Sequence, residues 1–231
     1  MKRNGIIILA IILIAAAVFL VPALGFQWPD YFNWGTLAAV FSILVCAALF
    51  IEFESAMTGS KEIALIAMLG TVSAVLRVPF AAIPSVQPCT YLIICSGYVF
   101  GPAAGLAVGA MTPLVSNFFL GHGPWTLYQM IAWGLGGVCS GYLGKIDIKC
   151  PFLIAFGIVW GYVYGAITNI WFWTSFVHPL TLQTFLVTQV NTVWFDTLHA
   201  AGNAVFIGLL GKRTIAVLHR FKDRFSITCT G

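Results

Sequence analysis

Apolar runs of about twenty residues recur along the whole chain, and charge almost vanishes within them. A helical run of that length crosses the ~30 Å hydrocarbon core of a bilayer. In lipid every backbone N–H and C=O must be satisfied internally, so only helices and closed barrels span it, and barrel strands need only ~9–11 residues. The pattern therefore predicts helices. Eight runs qualify, at residues 5–24, 34–53, 61–79, 88–100, 102–119, 125–144, 151–174 and 186–213. The fourth is too short to cross alone, and Gly101-Pro102 separates it from the fifth with no room for a loop. Such a helix must lie against protein. Composition agrees. Charged residues make up 8% and hydrophobic ones 60%, against ~25% and ~45–50% in soluble domains. An ordinary cytosolic globule, a disordered chain and a secreted disulfide scaffold are excluded. No polar stretch is long enough for an internal nucleotide-hydrolysing domain.

Met1-Lys2-Arg3-Asn4 followed by the run from Gly5 to Leu24 looks like a signal peptide. The run exceeds the usual ~7–15 residues of such a segment, and Pro22-Ala23-Leu24 is a poor cleavage site. It is read as a retained span. Cys46, Cys89, Cys95, Cys139, Cys150 and Cys229 show no C-x-x-C spacing and read as small packing residues, with no metal site and no cofactor expected. With the N-terminus inside, Lys2, Arg3, Lys61, Lys145, Lys149, Lys212, Arg213, Arg220, Lys222 and Arg224 fall on the inner side. Only Arg77 falls on the outer side. That asymmetry predicts both termini in the cytoplasm. The basic segment from Lys212 to Arg224 continues the last helix and reads as a snorkelling anchor on anionic lipid.

Ionisable and amide groups are costly in a span, so each marks a cavity or a partner. Asp196 is the one acid well inside a run. Thr192, Asp196, His199 and Asn203 follow at intervals of four, three and four, which places them on one helical face. Either a ligand site or proton relay, or a polar network between helices, satisfies that pattern. Asn117, Gln129, Asn169, Gln189 and Asn191 fall near the outer leaflet, and one outward-facing pocket accounts for them together. Trp125, Tyr128, Trp133, Trp171, Trp173 and Trp194 crowd the same region. Half of these suit an interfacial belt, whereas Trp133 and Trp194 lie deeper and suit stacking on a planar ligand. The segments 78–88, with three prolines, and 119–125, with Pro124, read as lids over that pocket. Gly101, Gly105 and Gly109 on one run, and Gly137 and Gly141 on another, form small-residue faces for close packing.

The stretch Lys61-Glu62-Ile63-Ala64-Leu65-Ile66-Ala67-Met68-Leu69-Gly70 resembles the first core helix of the substrate-binding S components of energy-coupling factor (ECF) transporters. Tyr98-Val99-Phe100-Gly101-Pro102-Ala103-Ala104-Gly105 with Gly109-Ala110-Met111-Thr112 is similar to the same family, as is Gly123-Pro124-Trp125-Thr126-Leu127-Tyr128-Gln129-Met130. The likeness covers residues 60–215. It implies an all-α integral membrane protein with a six-helix core (residues 57–220), preceded here by two extra transmembrane helices (1–56) and followed by a cytoplasmic tail (221–231). It implies a plasma-membrane subunit, not an enzyme, that captures a vitamin or related micronutrient from outside. Its partners would be a transmembrane coupling subunit and two ABC ATPases, and the chain has no P-loop of its own. Ligand contacts implied by the resemblance, together with the polar and aromatic candidates above, are Arg77, Gln87, Asn117, Trp125, Gln129, Trp133, Asn169, Asn191, Trp194, Asp196 and His199. The Ala-x-x-x-Ala pair that many S components turn toward the coupling subunit is absent, because Met68 follows Ala64. Ala67, Gly70, Thr71 and Ala74 are expected to replace it. Two other readings are a solitary secondary transporter or channel, and an intramembrane enzyme using Asp196 and His199. For the enzyme no second acid, metal set or nucleophile elbow is visible, beyond a coincidental Ser116 and His122. Aromatics beside amides suit a flat heterocycle, a class that includes riboflavin, thiamine, folate, biotin and queuosine precursors, and parts of a corrinoid.

Overall fold

The structure, a computed structural model, describes residues 60–224 and the isolated positions 40, 43, 44 and 47, all four helical. The expected spans 5–24 and 34–53, and most of the tail, lie outside the described residues. The order is α1 (Ser60–Phe80), α2 (Cys89–Phe100), α3 (Pro102–Leu120), α4 (Trp125–Lys145), α5 (Cys150–Phe176) and α6 (Leu182–Phe206). A π turn, Ile207–Gly211, joins α6 to α7 (Lys212–Arg224) without a break. No strand occurs among the described residues, as lipid-length apolar runs require. Among the described residues four stretches are long and apolar enough to cross a membrane, Lys61–Phe80, Pro102–Leu120, Cys150–Phe176 and Leu182–Arg224.

Glycine sets how closely α2, α3 and α4 approach. A Cβ placed on Gly105 would overlap the backbone of Gly137, and one on Gly109 would overlap that of Trp133. Gly97 meets Gly137 and Ser140, and Gly141 meets Gly101 and Pro102. The small-residue faces are thus consumed within the chain. Backbone contact of this kind replaces the hydrophobic drive that lipid does not supply. α2 passes directly into α3 at Gly101, whose φ of 95° and ψ of 177° suit only glycine. Pro102 then opens α3, where a missing N–H costs nothing.

α1 runs parallel to α3. Ser73 accepts a hydrogen bond from Thr112 at 2.8 Å, and Gly70 admits Met111. α5 and α6 form an antiparallel hairpin. Its rungs include Asn169 donating to Gln189 and Thr192, and Asn203 donating to the Gly157 carbonyl at 2.9 Å. The turn into α6 closes with a capping box between Thr181 and Thr184. The bundle has two distinct ends. One carries the α3–α4 and α5–α6 turns. The other carries the exposed Lys61, Lys145 and Lys149 and is called the lysine end below.

α2 has twelve residues, or about 18 Å of helix, so it covers little more than half of a bilayer core. It starts deep in the protein, with Cys89 and Thr90 buried. The loop before it lies along α6. Val86 faces Gly202, and Phe80 meets Phe206 edge-on at 5.7 Å. This segment is the one expected as an outer lid; Ala81, Ala82, Ile83 and Pro84 are exposed, and Val86 rests on α6. The second expected lid, 119–125, contains a tight turn at 121–124 in which His122 packs on Phe118 and Gly123 on Trp125.

Candidate functional site

One hydrogen-bonded and aromatic network links all six helices of the bundle. It starts at Arg77 in the last turn of α1, 6% exposed. Its Nη1 donates to Ser116 Oγ at 2.7 Å and to Asn117 Oδ1 at 2.6 Å, both on α3. The Asn117 amide in turn donates to Thr126 Oγ1 at 2.8 Å and Gln129 Oε1 at 3.0 Å, on α4. The guanidinium lies over the Trp133 ring, 5.0 Å from its centroid. Trp133 is fully buried and donates Nε1–H to Thr90 Oγ1 at 2.9 Å. The same hydroxyl meets His199 Nε2 at 2.8 Å. Tyr164 of α5 closes the circuit, with its ring 4.6 Å from Trp133 and 4.7 Å from His199.

The bond pattern fixes several donors. Indole N–H can only donate, so Thr90 Oγ1 accepts from Trp133. The bond between Thr90 Oγ1 and His199 Nε2 runs in either direction, according to the imidazole tautomer. Helix geometry explains the rest. Side chains lean toward their own N-termini. Arg77 therefore reaches back down α1 onto Trp133, rather than outward past the end of the helix.

Arg77 has no acidic partner among the described residues. Its bonds go to neutral oxygens, and its Nε is buried without any acceptor. Burying a guanidinium without a counter-charge is costly in a membrane protein. A cation–π contact recovers only about 1–2 kcal/mol. Asp196 does not supply the missing charge. Its carboxylate accepts from Thr192 at 3.3 Å and rests where a Cβ of Gly165 would stand. Asp196 and His199 also do not satisfy each other, since His199 pairs with Thr90. Ser116 serves Arg77 and the Thr112 carbonyl, while His122 packs on Phe118. Neither the Asp196–His199 pair of the enzyme reading nor the coincidental Ser116–His122 pair is formed.

The expected site residues divide into four groups. Arg77, Asn117, Gln129, Trp133 and His199 meet in the network. Asn169, Gln189, Thr192 and Asp196 form a second polar cluster that ties α5 to α6. The Gln189 amide nitrogen there is buried and unpartnered. Trp125 meets Trp171 edge-on at 5.2 Å, and Gln87 lies at the threshold of α2 beside Cys89. Asn191 and Trp194 depart from the expectation. Trp194 is 66% exposed and Asn191 is also exposed, because they lie off the face that carries Thr192, Asp196, His199 and Asn203. That face does turn inward, with His199 and Asn203 buried.

Thr90, Ser116, Thr126 and Tyr164 complete the network but were not among the expected binding residues. Threonine and tyrosine are unremarked in apolar runs, and Thr90 and His199 are 109 positions apart. The one local signal was the neighbourhood of Gln87 before a short helix. On α1, Gly70 and Ala74 pack inside the bundle, so two of the four residues expected at a coupling face do not reach the surface. Gly70 is taken up by Met111 of α3. Ala67 is half-buried, and Thr71 is exposed. Ala64, Met68, Thr71 and Val75 form the open stripe. Among the described residues no cluster of three metal-ligating side chains occurs. Cys89, Cys95, Cys139 and Cys150 are free thiols.

No curated protein and no solved structure matches the chain. A protein family does. The family described as ECF transporter, substrate-specific component, matches residues 61–216, which are 156 of the 231. The match begins with α1 and ends inside α7, so it takes in the whole network from Arg77 to His199. This is a family of transporter components, not of enzymes, and its members work with the other components of an ECF module on a small-molecule substrate. The chain is a multi-pass membrane protein and belongs to the family of substrate-specific components of ECF transporters.

Proposed function

We propose that this chain captures a vitamin-like micronutrient at the outer face of the cell membrane. It then delivers the solute by associating with a transmembrane coupling subunit and two ABC ATPases. The observation that carries this reading is the network of Arg77, Asn117, Trp133, Thr90, Tyr164 and His199. It joins six helices around two aromatic faces, which is the chemistry that holds a flat, polar solute. Gln87, Gln129 and Trp125 border it. Asn169 and Asp196 lie on the neighbouring α5–α6 cluster and extend the same binding region. Asn191 and Trp194 serve the site only if α6 turns about its axis on binding.

The basic residues support an orientation with both termini inside and the lysine end toward the cytoplasm. Cysteines placed singly at His122 and Lys149 test it. An impermeant thiol reagent on intact cells should label position 122 and spare position 149. The stripe Ala64, Met68, Thr71 and Val75 is the proposed docking face for the coupling subunit, with Ala67 at its edge.

Native mass spectrometry of the purified full chain should show a retained small molecule in a one-to-one complex. Uptake into cells should require the co-expressed coupling subunit and active ATPases. Uptake by this chain alone, unchanged by inactive ATPases, rejects the coupled reading in favour of a solitary transporter.

A further inference from the structure

We propose that the captured solute carries an oxyanion, a carboxylate or phosphate, and that Arg77 is the residue that holds it. The inference rests on the reading of the network as a solute site. Among the described residues Arg77 is the one buried arginine or lysine, and every group bonded to it is neutral. The ring beneath it is the indole of Trp133. Both recorded bonds leave from Nη1, so the opposite edge of the guanidinium, which includes the unpartnered Nε, is uncommitted. Adjacent N–H groups on one edge match the two oxygens of a carboxylate, or two of a phosphate, as parallel hydrogen bonds.

The surroundings hold Arg77 ready for such a partner. Ser116 and Asn117 fix Nη1, and Asn117 is itself held by its two bonds to Thr126 and Gln129. The plane of the guanidinium is thereby set before a ligand arrives, so little rotamer entropy remains to be lost on binding. Trp133 and Tyr164 offer ring faces next to the charge. Nearby His199 is already bonded through Nε2 to Thr90. The site therefore selects by charge as well as by shape. A neutral solute leaves Arg77 uncompensated, and a cationic one adds repulsion in a medium of low dielectric.

The test uses matched pairs that differ only in the charged group. These are biotin with biotinamide, nicotinate with nicotinamide, pantothenate with panthenol, and riboflavin 5′-phosphate with riboflavin; thiamine is the cationic control. Binding to the full chain in lipid nanodiscs is read by tryptophan fluorescence and by thermal stabilisation. The anionic member of at least one pair should bind about 10- to 100-fold tighter than its neutral twin, the range expected of charged hydrogen bonds. Which pair responds distinguishes carboxylate from phosphate. Arg77→Gln should abolish that preference. Arg77→Lys, which keeps the charge but loses the fork, should retain part of it. The comparison within the wild-type protein needs no variant, so a poorly folding Arg77→Gln does not block the test.

Equal affinity for both members of every pair overturns the proposal. So does tighter binding of thiamine or of a neutral twin, a preference unchanged in Arg77→Gln, or the absence of saturable binding by every anion. Failure of the underlying reading appears separately. If the chain does not co-purify with a co-expressed coupling subunit and ATPases, the transporter reading is at fault. If it does, and the anions are still not preferred, only the role of Arg77 falls.

Discussion

Thr90 is a small member of the network and the one with the most to lose. A single hydroxyl accepts from Trp133 and meets His199. Thr90→Val keeps the shape but leaves two buried polar groups unpartnered. The expected cost is about 2–4 kcal/mol of stability, read as a lowered thermal or denaturant midpoint in detergent. Thr90→Ser should lose far less. At Trp133, replacement by Phe removes the indole N–H and weakens the face beneath Arg77. Stability should fall by about 1–2 kcal/mol, with a parallel loss of ligand affinity in a binding titration. Sequence made some of these residues visible and hid others. Arg77, Asn117, Gln129, Trp133 and His199 stood out because charge, amide or indole groups are rare in lipid runs. Thr90 and Tyr164 did not, since their importance comes from contacts between distant helices. Trp194 was misjudged for a related reason. Its position near Asp196 in the chain says little, because neighbours two apart lie on opposite sides of a helix.

Among the elements, the glycine contacts of α3 and α4 decide whether the bundle closes at all. Gly105→Ala puts a methyl group into the backbone of Gly137, and rigid backbone cannot yield as a side chain would. A loss of about 1–3 kcal/mol or more is expected, seen as lowered yield of folded protein and a lower melting temperature. Gly208 is the control. Its nearest neighbour is a side-chain methyl of Ile154 at 3.8 Å, so Gly208→Ala should be nearly silent. These faces were legible from spacing alone, as was the abrupt α2–α3 junction at Gly101-Pro102. The start of α6 at Leu182 was not, because Thr181 and Thr184 cap the helix ahead of the residues where the apolar run becomes obvious. The packing of Val86 on α6 also escaped the sequence, since the loop's prolines describe a break in helix but not what the loop rests on.

At the scale of the whole molecule, the stripe on α1 and the network at its far end can be separated by experiment. Met68→Glu places a charge on the exposed stripe without touching the network. Co-purification with the coupling subunit should fall about tenfold or more, whereas ligand affinity measured on the isolated chain should stay unchanged. A parallel loss of both would move the stripe into the solute site. The spacing of residues pointed to a small-residue docking face on α1, but burial assigns Gly70 and Ala74 to the interior. Period and residue size say which positions share a face. Only the packed bundle says which face is taken.

α2 brings these scales together. Thr90, at one end, is gripped by Trp133 and His199; the Val99 carbonyl, at the other, accepts from Lys222 of α7 at 2.8 Å. Between them run three uninterrupted turns with no proline or bend. A rod fastened at both ends does not absorb a push; it passes the push along. Any solute that shifts Thr90 on entering the network thus acts on α7 and the lysine end about 15 Å away, with no loop between the two to dissipate the movement.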